Sequence, residues 1–378
     1  MSQNPDTKAN LSVMCSRTFK AILSCLWLLW LACAGTHVDS GPVHWPDYLT
    51  QPFPTANEYP DDGAVVLLQQ GSLNIFPDQE IPQSQLEFRC IVKIFDERGY
   101  DLANVTIPYS SSTKISDIRA RTITADGAVV PVAADKIFDV SIYPAFIFYA
   151  DTRAKRFTFP AVAPECILEY RYTATVQGYT YWDSWSFQSL VPTRLSRYEV
   201  TAPSEWPLKW QCSNIDLAPK TTAVPAGFKQ TWLWQAADVP PLLPEPGMPA
   251  WRDVQPSLLF APLGMKTWPD LARWFFSLYK DRVQPTAEIR RRVEQLCPSG
   301  LPPLQRLRRL YHFVRDEVRY VAVSIGICGY QPHPAAEVFL NRYGDCKDKV
   351  ALLQTMAACA GIEVSPVLIS TWQNGVLD

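Results

Sequence analysis

The residues best suited to chemistry lie near the end of the chain, in Asp345-Cys346-Lys347-Asp348-Lys349. Asp345 has the short acceptor of a helix N-cap, and Asp348 stands three residues on, where an acid reaches back to the cap's own N–H. The spacing predicts a helix that begins at Cys346. A thiol at a helix N-terminus faces unpaired backbone N–H groups and the positive end of the dipole, and both favour thiolate. Lys347 and Lys349 add positive charge while Asp345 and Asp348 oppose it, so sequence alone leaves the sign of the net shift open. The same N–H groups are candidates to hold the oxyanion of an acyl-transfer intermediate. The chemistry expected of Cys346 is nucleophilic attack on a carbonyl. A capped helix that merely starts with a core cysteine is the alternative.

The elements that must position this thiol follow from periodicity. The helix continues through Leu352, Leu353 and Met356 to Ala360, where Gly361 supplies a left-handed C-terminal cap, and residues 362–370 read as a strand. Upstream, residues 335–340 form a short helix, 326–334 a loop and 319–323 a short strand. Three amphipathic helices are expected over 267–282, 287–296 and 304–317. The first carries a cap and an early proline in Thr267-Trp268-Pro269-Asp270; the third places Leu307, Leu310, Tyr311 and Val314 on its core face. Residues 239–256 (VPPLLPEPGMPAWRDVQP) are too rich in proline for a regular element and read as a linker. Before it, residues 60–238 are strand after strand, with Asp126-Gly127 as a hairpin turn, which predicts an antiparallel sandwich. Residues 257–378 form the second, α+β part.

Composition narrows the partners. Thirty-five basic against 37 acidic side chains, a net charge of -2, give no electrostatic reason to expect nucleic acid or an anionic surface. Residues 1–35 have basic positions at Lys8, Arg17 and Lys20, the apolar run AILSCLWLLWLA over 21–32, then small residues, which is the layout of a signal peptide. That run is shorter than the about 20 residues a spanning helix needs, although an uncleaved N-terminal anchor is the other reading. The protein is therefore expected to be exported, periplasmic or envelope-associated, with membrane contact only through that segment. Of ten cysteines, Cys15, Cys25 and Cys33 fall in the leader, leaving seven. An odd number in an oxidising compartment implies a free thiol or an intermolecular bridge. No phosphate-binding glycine loop, EF-hand or dinucleotide fingerprint is visible, so no cofactor is expected. Cys328, His333, Cys346 and Cys359 are too irregularly spaced for a zinc site.

The segment GYQPHPAAEVFLNRYGDCKDKVALL, 329–353, closely resembles the active-site segment of bacterial transglutaminase-like proteins. The helix with YHFVRDEVRY and the Thr267-Trp268-Pro269-Asp270…Trp274 helix are similar to that family's lead-in, and TIPYSSSTKISDIRARTITADGAVVPV, 106–132, is similar to an uncharacterised bacterial domain that commonly precedes such cores. The resemblance implies a mainly β N-terminal sandwich followed by an α+β, papain-like core. It makes Cys346 the nucleophile of a Cys-His-Asp triad acting on peptide or protein substrates, with cell-wall peptides within reach of an exported enzyme. In the family the His and Asp follow on later strands, whereas this sequence ends at Asp378 with no histidine beyond His333. The core is accordingly expected to be incomplete at its C-terminus and its activity impaired, as in a truncated copy. A non-catalytic envelope binding or scaffolding protein is the competing expectation. His333 is the one candidate to substitute as base, and His312 is assigned to packing or surface. Gln331 is the candidate side-chain donor to an oxyanion, against a role bracing its loop. Tyr343, Gly344 and Asp345 are expected to support the site.

Overall fold

The computed structural model describes residues 44–369 apart from 45, 48, 50–51, 77–82, 143–146, 178–183, 207, 224–228, 261–266 and 325, so the leader lies outside the described residues. In chain order the strands of the first part are β1 (Ala64–Phe76), β2 (Gln83–Ile94), β3 (Asn104–Tyr109), β4 (Thr113–Ile123), β5 (Val129–Pro131), β6 (Phe138–Ser141) and β7 (Ile147–Ala150). They continue with β8 (Arg153–Thr158), β9 (Ile167–Gln177), β10 (Trp185–Ser186), β11 (Thr193–Pro203), β12 (Trp210–Ser213), β13 (Lys220–Ala223) and β14 (Lys229–Val239). A four-residue helix, α1 (Trp251–Val254), precedes β15 (Ser257–Phe260). Then come α2 (Trp268–Tyr279), α3 (Ala287–Leu296), α4 (Pro303–Glu317), β16 (Arg319–Tyr320), β17 (Ala322–Ser324), α5 (Ala335–Asn341), β18 (Tyr343–Gly344) and α6 (Cys346–Cys359).

An eight-stranded sheet in the order β13-β14-β11-β1-β2-β9-β4-β5 is the frame, and two three-stranded sheets, β3-β8-β6 and β10-β15-β12, accompany it. Side chains alternate across the large sheet. One face buries Ala64, Val66, Val92 and Leu168 with Phe157 and Ile107 of the first small sheet. Farther along β1, the same face buries Leu73 and Ile75 with Trp185 and Leu258 of the second. Gly71 lets this happen: a Cβ there would stand 2.7 Å from the Trp185 ring and 2.8 Å from Tyr198. On the opposite face, at one end, Leu49, Val65, Leu67, Leu68, Ile91 and Phe95 cluster with Phe53 and Tyr59.

The mainly β, sandwich-like first part is as expected, with four differences. β1 and β11 run parallel, not antiparallel; the chain between them is the long crossover that a parallel pair requires. The β-branched and aromatic run over 137–149, which reads as one strand in sequence, is two strands in different sheets, β6 and β7. β3 and β13 were not anticipated, since Pro108 and a polar KTTA hide their pattern. Finally, β15 pairs with β10 and β12, so the β-rich part resumes after the proline-rich stretch and extends to Phe260, past the expected boundary at 256.

The second part is a layer of helices. Ile289 and Val293 of α3, Leu310, Phe313 and Val314 of α4, Val338 and Phe339 of α5, and Leu352 and Met356 of α6 form one core. Tyr311 is not on the buried face of α4; it is exposed, and Phe313 takes that place. The stripe 307, 310, 313–314 keeps the helical spacing, whereas residue 311 is one step of about 100° away from Leu310. Thr267 and Asp270 close the capping box of α2, and Thr286 caps α3 through a bond from Ile289 N. β17 pairs in parallel with β7, which ties the strand before the thiol segment to the β-rich part. Residues 362–369 form no strand. Their composition suits one, but a strand exists only through a partner, and this stretch is instead bonded to α6, by Ile362 N to Ala357 O (2.9 Å) and by Gln354 Nε2 to Val364 O (3.0 Å).

Candidate active site

Cys346 opens α6 and is exposed, while the acids around it are buried: Asp345 is 3% exposed and Asp348 2%. Asp345 Oδ1 accepts from Lys347 N (3.1 Å) and Asp348 N (3.4 Å), and Asp348 Oδ2 accepts from Asp345 N (3.1 Å). The reciprocal capping box therefore forms as the sequence predicts. It also corrects one expectation, because two of the helix's first N–H groups are spent on the Asp345 carboxylate and are not free for an oxyanion. The Lys347 ammonium is paired with Asp345. Lys349 points away: its Nζ donates to Val318 O (2.8 Å) and Arg315 O (3.3 Å), closing the end of α4. Burial lowers the pKa of Lys349, against the raising influence of Asp316.

Tyr320, which sequence reasoning passed over, meets the thiol. β16 runs parallel to β18, with Tyr320 opposite Gly344. That register sets Tyr320 beside the start of α6, close enough for Cys346 and Asp345 to act on its hydroxyl. Partial burial, then the charges of an ionised Cys346 and of Asp345, push the Tyr320 pKa up, so at neutral pH it keeps its proton and remains a donor. The only signal in sequence is that YHFVRDEVRY ends on this tyrosine one strand before the loop.

The remaining candidates divide. Gln331 Nε2 donates to Leu278 O (3.2 Å) and so braces the end of α2; it is not an oxyanion donor here. His333 bonds to Asp348, through its backbone N (2.8 Å to Oδ1) and through ring Nδ1 (3.2 Å to each oxygen). A carboxylate thus orients the imidazole, as in a triad, but no hydrogen bond joins His333 to Cys346 among the described residues, and its contacts make it a strap between the loop and α6. Tyr343 is half-exposed on β18, and Gly344 is buried, its carbonyl accepting from Val321 N (3.1 Å). His312 lies on the solvent side of α4 near Asp316. All seven described cysteines are free, Cys90 and Cys166 being buried. Among the described residues no group of three His, Cys, Asp or Glu side chains converges to hold a metal, the quartet of Cys328, His333, Cys346 and Cys359 included.

A β-rich part feeds a helical part whose exposed cysteine starts a capped helix. The comparisons agree. Residues 290–375 match the transglutaminase-like superfamily, and residues 83–242 match a domain of unknown function, DUF3857. The chain is thus similar over 290–375 to the transglutaminase-like superfamily and over 83–242 to that β-rich domain. A solved structure named a "putative protease", from Parabacteroides distasonis, is similar at a TM-score of 0.65 and 15% identity, over 80% of this chain and 59% of that one. The likeness is one of fold, and this chain spans 59% of that protein's length. No curated protein matches significantly.

Proposed function

We propose that this protein performs thiol-based acyl transfer or amide hydrolysis on peptide or protein substrates, with Cys346 as nucleophile. The observation that carries the reading is the exposed cysteine at the start of α6, with Tyr320 beside it. A substrate carbonyl oxygen at the start of α6 accepts from the Cys346 N–H and from the Tyr320 O–H. These two donors stand in for the helix N–H groups that Asp345 occupies. Sγ attacks the carbonyl carbon, the thioester forms, and the leaving group departs. The His333 imidazole is engaged with Asp348 and makes no hydrogen bond to Cys346 among the described residues. The leader-like 21–32 supports action outside the cytoplasm, where cell-wall peptides are within reach. That His333 is bonded to Asp348 and not to Cys346 is what favours the second reading, a binding or scaffolding module.

An activated ester separates the two readings, because its nitrophenolate leaves as an anion and needs no acid. Incubating the full chain with a p-nitrophenyl ester is expected to add one acyl group per chain, mapped to Cys346, with the thiol proton passing to buffer. Cys346→Ala abolishes the adduct, and Tyr320→Phe slows its formation about tenfold, as expected for one charge-assisted hydrogen bond. An adduct of equal yield in Cys346→Ala leaves only the scaffolding reading.

A further inference from the structure

Beyond the cluster of Leu67 and Ile91, the same face of the large sheet carries a row of arginines that the Cys346 site does not use. Arg89 on β2 lies opposite Arg171 on β9, and Arg171 lies opposite Arg119 on β4. Like charges set directly across strands destabilise a sheet, so three in succession call for a compensating reason. Part of it is internal: Glu169, 5% exposed, accepts from Arg89 Nε (2.9 Å) and from Arg121 Nε (2.7 Å). One carboxylate shared by two guanidiniums leaves a surplus of positive charge. Arg119 adds to it, having no hydrogen-bond or ion-pair partner among the described residues.

Arg119 reaches the row through a bulge. Ser116 pairs with Thr173 and Arg119 with Arg171, so β4 has one residue more than β9 over that interval. Without it, Ile118 would stand opposite Arg171. Asp117 in the bulge has φ 52°, a left-handed conformation that non-glycine residues rarely adopt. Bulges re-aim side chains, and a strained residue retained in one is a pointer to function. The row floors a cavity of about 540 Å³, lined among others by Gln70, Ser72, Glu87, Arg89, Arg119 and Arg171. Its size is that of a ligand site, roughly 300–1,000 Å³.

The geometry points to a binding site for a short acidic peptide segment, its carboxylates held by Arg119 and Arg171 and its backbone by Gln70, Ser72 and Thr173. Guanidiniums match planar carboxylates in pairs. Glu87 and Asp117, which also line the cavity, repel a polyphosphate or a nucleic-acid backbone but leave room for a peptide whose charges are spaced by neutral residues. The site lies on the β-rich part and does not depend on the reading of Cys346.

Fluorescence anisotropy with the full chain and a labelled peptide of alternating Gly and Glu tests it. The peptide is expected to bind about tenfold more tightly than its Gln counterpart, and Arg119→Gln and Arg171→Gln are each expected to weaken it about fivefold or more, with the thermal melt of Arg119→Gln unchanged. Arg119→Gln is the safer variant, since that side chain has no described partner to lose. Equal binding of the Glu and Gln peptides, or no change in Arg119→Gln, overturns the proposal. So does displacement by inorganic tripolyphosphate at lower concentrations than by unlabelled Glu peptide, which would assign the site to phosphate.

Discussion

Asp348→Ala is expected to destabilise the protein by about 3 kcal/mol, read as a shift of the urea midpoint followed by far-UV circular dichroism. The side chain is nearly sealed from solvent and accepts from Asp345 N, His333 N and the His333 ring. Alanine strands two backbone donors, each costing about 1–3 kcal/mol where water cannot reach, and removes half of the capping box. Asp348→Asn keeps an acceptor oxygen and is expected to cost less than half as much. The effect should be concentrated in the helical part, loosening the loop before α5 from the start of α6. A loss below about 0.5 kcal/mol, the range of ordinary surface substitutions, means that the strap between His333 and α6 is not formed in solution.

The second large effect is steric. A Cβ on Gly344 would lie 2.6 Å from Asp348 Cβ and 3.0 Å from its Oδ2. Both contacts are with a side chain fixed by hydrogen bonds, so relief requires β18 and α6 to separate. Gly344→Ala is expected to cost about 2–3 kcal/mol, as overpacking does in dense interiors. It should also slow acylation of Cys346, because β18 sets the register that brings Tyr320 to the sulfur. An alanine tolerated without change in melting temperature or thiol reactivity contradicts this close approach.

The parts of this structure that were legible in sequence are those whose cause is local. Asp345 and Asp348 announced the start of α6 because a capping box is a four-residue pattern, and Gly361, at φ 71°, ended it for an equally local reason. The same holds for Thr267 and Asp270 at α2. What escaped was set by partners distant in the chain. The parallel pairing of β1 with β11 and the return of β15 to the β-rich part depend on which edges are free, which periodicity does not encode. Residues 362–369 have the composition of a strand without the ladder. At the site, Cys346 could be found from its own helix, but Tyr320 could not, since its role comes from a two-residue parallel pair with β18. Gln331 had the right chemistry for an oxyanion and spends it on Leu278.

Alkylation of Cys346 by iodoacetamide near neutral pH, followed by peptide mass spectrometry in the native chain and again in urea, tests the central claim most directly. If the helix start and Tyr320 activate the sulfur, Cys346 reacts faster in the folded protein than after unfolding, while buried Cys90 and Cys166 behave in the opposite way. A Cys346 that reacts only once the chain is unfolded contradicts the account, because its sulfur is then neither accessible nor activated where α6 begins.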